Sequence, residues 1–478
     1  MNRFYIYSVK KALFIFALFL TAQGFAQKSL TLRQCVELAW ANNLQIKQAQ
    51  LSVESSEASL QNTKADVLPN LNGFASHNYN WGQRIDPFTN QFANTRVQSN
   101  SFGLSSSMDL FTGFQNQQNI KAQSAALESV VFNLEAQKND ISLAVSSSFL
   151  STLLAQELVA IAEQQVQITK QQLDRIKILV DAGSINIGNQ YNLEAQLAQD
   201  ESNLIARQND YQLSILGLKQ LLLLPMDEQL TVVKPPTLEV EPSNQIENSE
   251  VVYSYAETSM PEIKSAERSL VQWDSRLKSA KGGRYPSLTL SGSIGSGYSG
   301  LRTEVIASSL TGSREIGATQ SGDLVYTPTF DTELQKVNFG TQLNDNFNQF
   351  IGLSLNVPIF NRGVVNNSVK QAKINQDIAE LQLEQEKQNL RQTIENARAD
   401  AIAARALYLS NQKAVASNEK AFEFASARFE AGALNVLEFN TAKNNLQISQ
   451  TQLNRAKYDF IFKTKVLDFY MGKPLSFE

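Results

Sequence analysis

Proline is what most constrains this chain. None occurs between Pro87 and Pro225, and none between Pro358 and Pro474. Both proline-free blocks are rich in Ala, Leu, Gln, Glu and Lys. Those are strong helix formers, and a proline inside a helix would cost about 3 kcal/mol. Apolar residues recur at Val130, Leu134, Ile141, Val145, Phe149, Leu154, Leu158, Ile161 and Ile168. Spacings of three, four and seven mark one helical face, as in a coiled-coil seam. Glycines punctuate the two blocks alike. Gly113 and Gly363 follow Phe111 and Phe360 where strand-like sequence gives way to helix, and Gly183 and Gly432 sit in "LVDAGSIN" and "RFEAGALN". Each pair lies about 250 positions apart. Upstream, "LPNLNGF" (68–74) matches "YPSLTLS" (285–291). The chain is an internal duplication.

Each half reads helix, strand, loop, strand, long helix, tip, shorter helix. In the first half these are a helix over 44–65, strands over 70–81 and 100–110, a long helix from about Phe114 to Val180, and a return over 189–223. In the second they are a helix over 260–281, strands over 286–298 and 350–359, and helices over 364–428 and 439–470. The segment 299–346, rich in Gly, Ser and Thr, is expected to be a long mobile loop. The long helix would measure roughly 100 Å. The two shorter helices of each half would stack end to end beside it, giving a rod with strands at one end and tips at the other. Repeat 1 is assigned to 27–225 and repeat 2 to 251–478. Between them, 226–250 holds Pro235, Pro236 and Pro242 and reads as linker.

The first residues read as an address. Arg3, Lys10 and Lys11 precede a short apolar run, Ala12–Leu20, and Gly24 and Ala26 sit where a cleavage site needs small residues. The run is shorter than the roughly 20 residues of a spanning helix. A secretory signal over 1–26 is expected, with Gln27 first in the mature chain. Composition excludes several functions. Net charge is −4, so there is no basic field for nucleic acid. With one His (His77) and one Cys (Cys35), no disulfide can form within the chain and no Cys/His zinc site can be built. No catalytic residue, metal or cofactor is expected, and the chain does not read as an enzyme. Cys35 reads as a small buried residue on a short helix over 32–41.

The strands alternate with period two. Phe102, Leu104, Ser106, Met108 and Leu110 share one face, as do Leu288, Leu290, Gly292 and Ile294, and Ile351, Leu353, Leu355, Val357 and Ile359. The opposite faces hold Ser, Asn, Gly and Thr. Each segment has about ten residues, the length of a tilted transmembrane strand. A soluble sheet with one buried face would show the same alternation; the signal segment and the duplication favour the membrane. Leu104, Leu353 and Leu355 are then expected to face lipid, and Ser105 and Ser354 a lumen. Four strands cannot close a barrel, since the smallest membrane barrels have about eight, so the barrel must be shared between copies.

The residues "LTLRQCVELAWANNLQIKQAQ" (30–50), both Pro-x-Leu strand starts, "VPIFNRG" (357–363) and the tips "DAGSIN" and "RFEAGALNVLEFNTA" (428–442) together resemble the TolC family of outer-membrane efflux factors. The resemblance covers essentially the whole mature chain. It implies a mainly α fold with membrane β, in which a long α-helical barrel continues into a twelve-stranded transmembrane β-barrel shared by a homotrimer. It also implies a passive duct in the outer membrane, reaching into the periplasm of a Gram-negative cell. The duct's partners would be outer-membrane lipid, a periplasmic adaptor (membrane fusion) protein and an inner-membrane pump. The adaptor would meet the tips Ala182, Gly183, Ser184 and Ala431, Gly432, Ala433. Counted from the tip glycines, the family's entrance constriction falls on Glu438, Thr441 and Asn189. The family's cross-helix tyrosine falls on Phe429 and its arginine on Leu434, so its latch chemistry is not carried over. Read from the residues alone, Glu438 is equally a glutamate near a helix start, where the dipole favours negative charge. From another class, the competing reading is a secreted structural or adhesive coiled-coil surface protein.

Overall fold

The computed structural model describes residues 28–86, 88–90, 92–94, 96–235, 246–473 and 475. The expected signal segment lies outside them, as do Pro236 and Pro242 of the expected linker. In chain order the elements begin with β1 (Lys28–Leu30), α1 (Leu32–Asn42), α2 (Leu44–Ala65), β2 (Asn72–Asn80), β3 (Gln83–Ile85), β4 (Phe92–Asn94) and β5 (Val97–Phe111). Then come α3 (Gln115–Asp181), α4 (Gly188–Leu222), β6 (Leu230–Val232), α5 (Ser249–Ser259), α6 (Pro261–Gly282) and β7 (Ser287–Ser299). The chain continues through β8 (Thr303–Ala318), β9 (Leu324–Lys336), α7 (Phe339–Asp345), β10 (Asn348–Asn356), α8 (Val364–Glu430) and α9 (Val436–Tyr470). The expected helices and the four long strands are present, with ends shifted by a few residues.

Two compact units result. One comprises the described residues of Met1–Glu57, Ala125–Val271 and Asp377–Glu478; the other comprises those of Ala58–Ser124 and Gln272–Gln376. Each takes segments from both halves of the duplication.

The first unit is helical. Its largest core packs Cys35, Ala39 and Ile46 against Ile141, Val145, Phe149 and Leu153 of α3, Leu218 and Leu222 of α4, and Ile461 of α9. Along α3 the buried line runs Ile141, Val145, Phe149, Leu153, Leu158, then Ala162, Val166, Thr169, Leu173, so the expected Ile141, Val145, Phe149 and Leu158 are buried. The expected seam continued through Leu154, Ile161 and Ile168, which are only half-buried. A straight helix drifts about 20° per heptad against a seven-residue repeat, so the contact line passes to residues that a heptad count leaves out. On α8 the line is mostly alanine, with Ala379, Ala397, Ala401 and Ala404 buried around Ile394. A short parallel pair, Lys28–Leu30 with Leu230–Val232, closes one side of the core. Thus part of the segment expected as linker is ordered as β6.

The second unit is built on an antiparallel sheet of order β10-β7-β5-β2. At one end the chain passes into helix through Gly113 and Gly282, whose backbones lie against each other. A Cβ on Gly113 would come within 2.3 Å of the Gly282 carbonyl oxygen, and Gly113 has φ +64°. The opposite end carries what was expected as loops. Gln83 pairs with Asn94 in a small hairpin, β3–β4. The segment 299–346 is not a loop but a long two-stranded ribbon, β8–β9, followed by α7. The ribbon has β-bulges between Val305 and Ala307, Leu310 and Gly312, and Glu315 and Gly317. Each bulge shifts the inward–outward alternation by one residue, which erases the period-two signal of a strand.

Candidate functional site

The sheet sorts its residues by polarity. Ladder partners lie on the same side of a sheet. Leu104 stands opposite Ile294 and Met108 opposite Leu290, while Leu290 and Leu288 stand opposite Leu353 and Leu355. These side chains therefore form one continuous apolar face, from which Leu104, Leu353 and Leu355 project with 44%, 63% and 65% of their surfaces exposed. On the other face Ser105 meets Asn72 and Ser293, and Ser354 meets Thr289, which donates a hydrogen bond to Asp109 at 2.8 Å. Phe74, Phe350 and, at the start of β5, Val97 are the apolar exceptions there. Strands β10 and β2 leave both sheet edges open.

The two tips of the helical unit close in the same way. Gly183 N–H donates to the Val180 carbonyl at 2.8 Å, and Ser184 N–H to that of Leu179 at 2.9 Å. Gly432 N–H donates to Phe429 at 3.1 Å, and Ala433 N–H to Arg428 at 2.8 Å. This is the Schellman pattern, which needs a left-handed residue, and φ is +71° at Gly183 and +74° at Gly432. Ala182, Gly183, Ser184, Ala431, Gly432 and Ala433 are all exposed. Arg175 ties the tips together by donating to the Glu430 carbonyl at 2.7 Å.

Beyond the second tip, Asn435 caps α9. Its Oδ1 accepts from the Glu438 N–H at 2.8 Å, and its Nδ2 donates to Glu438 Oε1 at 3.2 Å. Glu438 is exposed and sits in the first turn of the helix. Thr441 is also exposed and donates back to the Leu437 carbonyl at 2.9 Å. Asn189 is half-buried at the start of α4. Within one copy no hydrogen bond or ion pair joins these three among the described residues. Phe429 stacks on Phe439 with ring centroids 4.6 Å apart and packs against Leu173, Ile176, Leu193 and Val436. Phe429 thus sits in an apolar cluster.

Sequence reasoning missed a buried ion pair farther along the same helices. Lys443 Nζ lies 2.6 Å from Asp200 Oδ2 and donates to Thr169 Oγ1 at 2.6 Å; Thr169 itself donates to Asp200 Oδ2 at 2.6 Å. Gln196 donates to Asp200 Oδ1 at 2.8 Å. The two charged side chains are 1% and 6% exposed. The cluster joins α3 and α4 of the first half to α9 of the second. Burial pushes the Lys443 ammonium below the usual lysine range, against the opposing pull of Asp200. A signal existed: Lys443 stands on the buried line Val436, Phe439, Lys443, Leu446 at helical spacing. A second polar core lies at the far end of the sheet. Asp86, fully buried, accepts from Ser299 Oγ at 2.6 Å and from the backbone N–H of Phe88 and Thr89. Burial alone would raise its carboxyl, but these bonds outweigh it and hold the group below its ordinary value.

Comparison with known proteins places this arrangement. Over 448 residues the chain is 22% identical to outer membrane protein TolC of Escherichia coli (strain K12), covering 92% of this chain and 82% of that protein. It superposes on the open-state MtrE outer membrane channel of Neisseria gonorrhoeae with a TM-score of 0.71 at 17% identity, covering 94% of this chain and 90% of that one. On the outer membrane protein VceC of Vibrio cholerae the TM-score is 0.70 at 15% identity, covering 93% and 96%. The model of the family described as outer membrane efflux protein matches residues 35–222 and again 252–473, one match in each half of the duplication. With both halves matched, the chain belongs to the outer membrane efflux protein family.

Proposed function

We propose that three copies of this chain assemble into a passive export duct that crosses the outer membrane and extends into the periplasm. The tips at Ala182–Ser184 and Ala431–Ala433 dock a periplasmic adaptor, and an inner-membrane pump drives the cargo. The observation that carries this reading is the sheet with one apolar face, one polar face and two open edges. In lipid an unpaired edge costs several kcal/mol per backbone group, and four strands are too few to close. Strand β2 runs opposite to β10, so β2 of one copy can pair antiparallel with β10 of the next and close a ring. Leu104, Leu353 and Leu355 then face lipid, and the serine face lines the lumen. Large apolar residues left exposed on the helices, among them Ile205, Leu213, Leu407 and Phe424, give neighbouring copies a surface to cover. Repeats 27–225 and 251–478 each supply two strands and one tip, with 226–250 between them. Glu438, Thr441 and Asn189 ring the entrance in this arrangement. The test is mass in detergent followed by conductance in a planar bilayer. A trimer that conducts is the expected result, and a folded, detergent-stable monomer would overturn the reading.

A further inference from the structure

The β8–β9 ribbon continues from β7 at the end of the sheet away from the helix junctions. Its base is fixed. The buried Gln342 side chain donates to the Ser299 carbonyl at 3.0 Å and the Val337 carbonyl at 2.9 Å, and Arg302 pairs with Asp345 at 2.7 Å. Beyond that clamp nothing among the described residues covers it: every residue of β8 and nearly every residue of β9 is exposed. An isolated two-stranded hairpin is at best marginally stable in water, so a ribbon of this length requires a covering surface.

The register shows which side is to be covered. Val305 stands opposite Leu334, Leu310 opposite Phe330, and Glu315 opposite Tyr326. Each of these β8 residues precedes a bulge, five positions after the last, while β9 advances by four. The bulges therefore return β8 to the same side each time, and Val305, Leu310, Leu334, Phe330, Tyr326 and Leu324 form one stripe, with Glu315 beside Tyr326 toward the ribbon's turn and Lys336 at its base. Leu310 and Phe330 in it are 67% and 56% exposed. The other side carries Glu304, Asp331 and Glu333, with Arg314 as its cation. Like charges brought face to face repel; the stripe side carries one acid and one base, Glu315 and Lys336, against three acids and one base on the other, so the stripe side is the better suited to contact between identical ribbons.

We propose that the apolar side of the β8–β9 ribbon is an interface between copies of this chain, the three ribbons of a trimer packing these faces together about the common axis. This rests on the cyclic assembly proposed above. Two features select a second copy as the occupant. The ribbon follows β7 through the turn at Gly300–Leu301, and β7 belongs to the sheet whose open edges already require other copies. The acidic back of the ribbon stays in water when three apolar faces meet, so one arrangement places both sides favourably. Burying a Leu, Val or Phe side chain contributes about 1.5–3 kcal/mol, and each ribbon offers several.

The full-length protein extracted from the outer membrane tests this through thiol accessibility. Cys35 is fully buried and its thiol is pushed up to about 12, so it gives no background. Phe330→Cys places a thiol on the apolar side, Leu310→Cys a second one there, and Asp331→Cys one on the acidic side. Mass is measured first, then maleimide labelling, then crosslinking with a short bismaleimide. In the trimer, Phe330→Cys and Leu310→Cys should label at about one tenth the rate of Asp331→Cys or slower, because only the open fraction reacts. Both should crosslink between copies, and Asp331→Cys should not. A trimer whose Phe330→Cys and Leu310→Cys label as fast as Asp331→Cys overturns this proposal and leaves the assembly standing. Protection without crosslinking means that lipid or another protein covers the stripe, which also overturns it. A monomer overturns both.

Discussion

Lys443 and Asp200 are the residues on which the helical unit depends most sharply. Taking two charges out of water is expensive, and the pair returns that cost only while both partners are present. Lys443→Ala strands the Asp200 carboxylate and should destabilise the fold by about 3–5 kcal/mol. Lys443→Met with Asp200→Leu removes both charges and should lie close to wild type. Denaturant unfolding of the detergent-solubilised protein distinguishes these outcomes. Glu262 on α6 behaves differently. Its Oε2 is buried without a hydrogen-bond partner among the described residues. Burial raises its carboxyl above the ordinary 4.5, and the neighbouring Asp140 and Glu386 raise it further. Burial, and then Glu262 and Asp140, raise the Tyr470 hydroxyl as well. A folded-state value raised in this way contributes stability that is complete below 4.5 and is lost as pH rises through the raised value. Glu262→Gln should therefore melt higher than wild type at neutral pH, with the gain vanishing below pH 4.5. A gain of equal size at both pH values would show that charge is not its cause.

Among the elements, the sheet strands were legible and the ribbon was not. In β10 and β7 the alternation is unbroken, so Leu353 and Ser354 could be assigned to opposite faces from sequence, and the ladder puts them there. Leu353→Lys should cost about 2–4 kcal/mol if its position lies near the bilayer midplane, and Ser354→Lys little. Heat-modified mobility of the assembled protein reads the difference, and equal tolerance would mean that the strands do not span lipid. In β8 the apolar residues Val305, Ile306, Leu310 and Ile316 follow neither period two nor 3.6, because an extra residue enters at each bulge. A segment that is regular in structure therefore read as a Gly/Ser/Thr loop. β1 and β6 were missed for another reason: each has three residues, and Lys28 pairs with Leu230 across nearly half the chain.

For the whole molecule the decisive step is closure. Three copies about one axis would bring three Glu438 carboxylates together at a narrow ring. Carboxylates so placed attract cations. Trivalent cations added on the periplasmic side of a planar bilayer should lower the current through wild type more than through Glu438→Gln. Thr441 carries no charge, so the block should be weaker than a double acidic ring would give. An equal response of both proteins leaves Glu438 with its helix-start role alone, which its bond with Asn435 already supports. Phe429 belongs to this scale too. Its stacking on Phe439 makes its contacts within one copy apolar.

The sequence by itself determined the duplication, the helix blocks, the two glycine tips and the faces of the membrane strands. Each of these is written in residues close together in the chain: a missing proline, a period of 3.6 or two, a glycine where φ must be positive. Only the tertiary structure decided which residues meet across long separations. It joined Asp200 to Lys443, buried Asp86 against Ser299, carried the α3 seam from Leu158 onto Ala162, Val166 and Thr169, and paired β8 with β9 through three bulges. Local periodicity specifies which side of an element is apolar. It does not specify what that side meets, because the contact depends on how elements far apart in the chain pack in three dimensions.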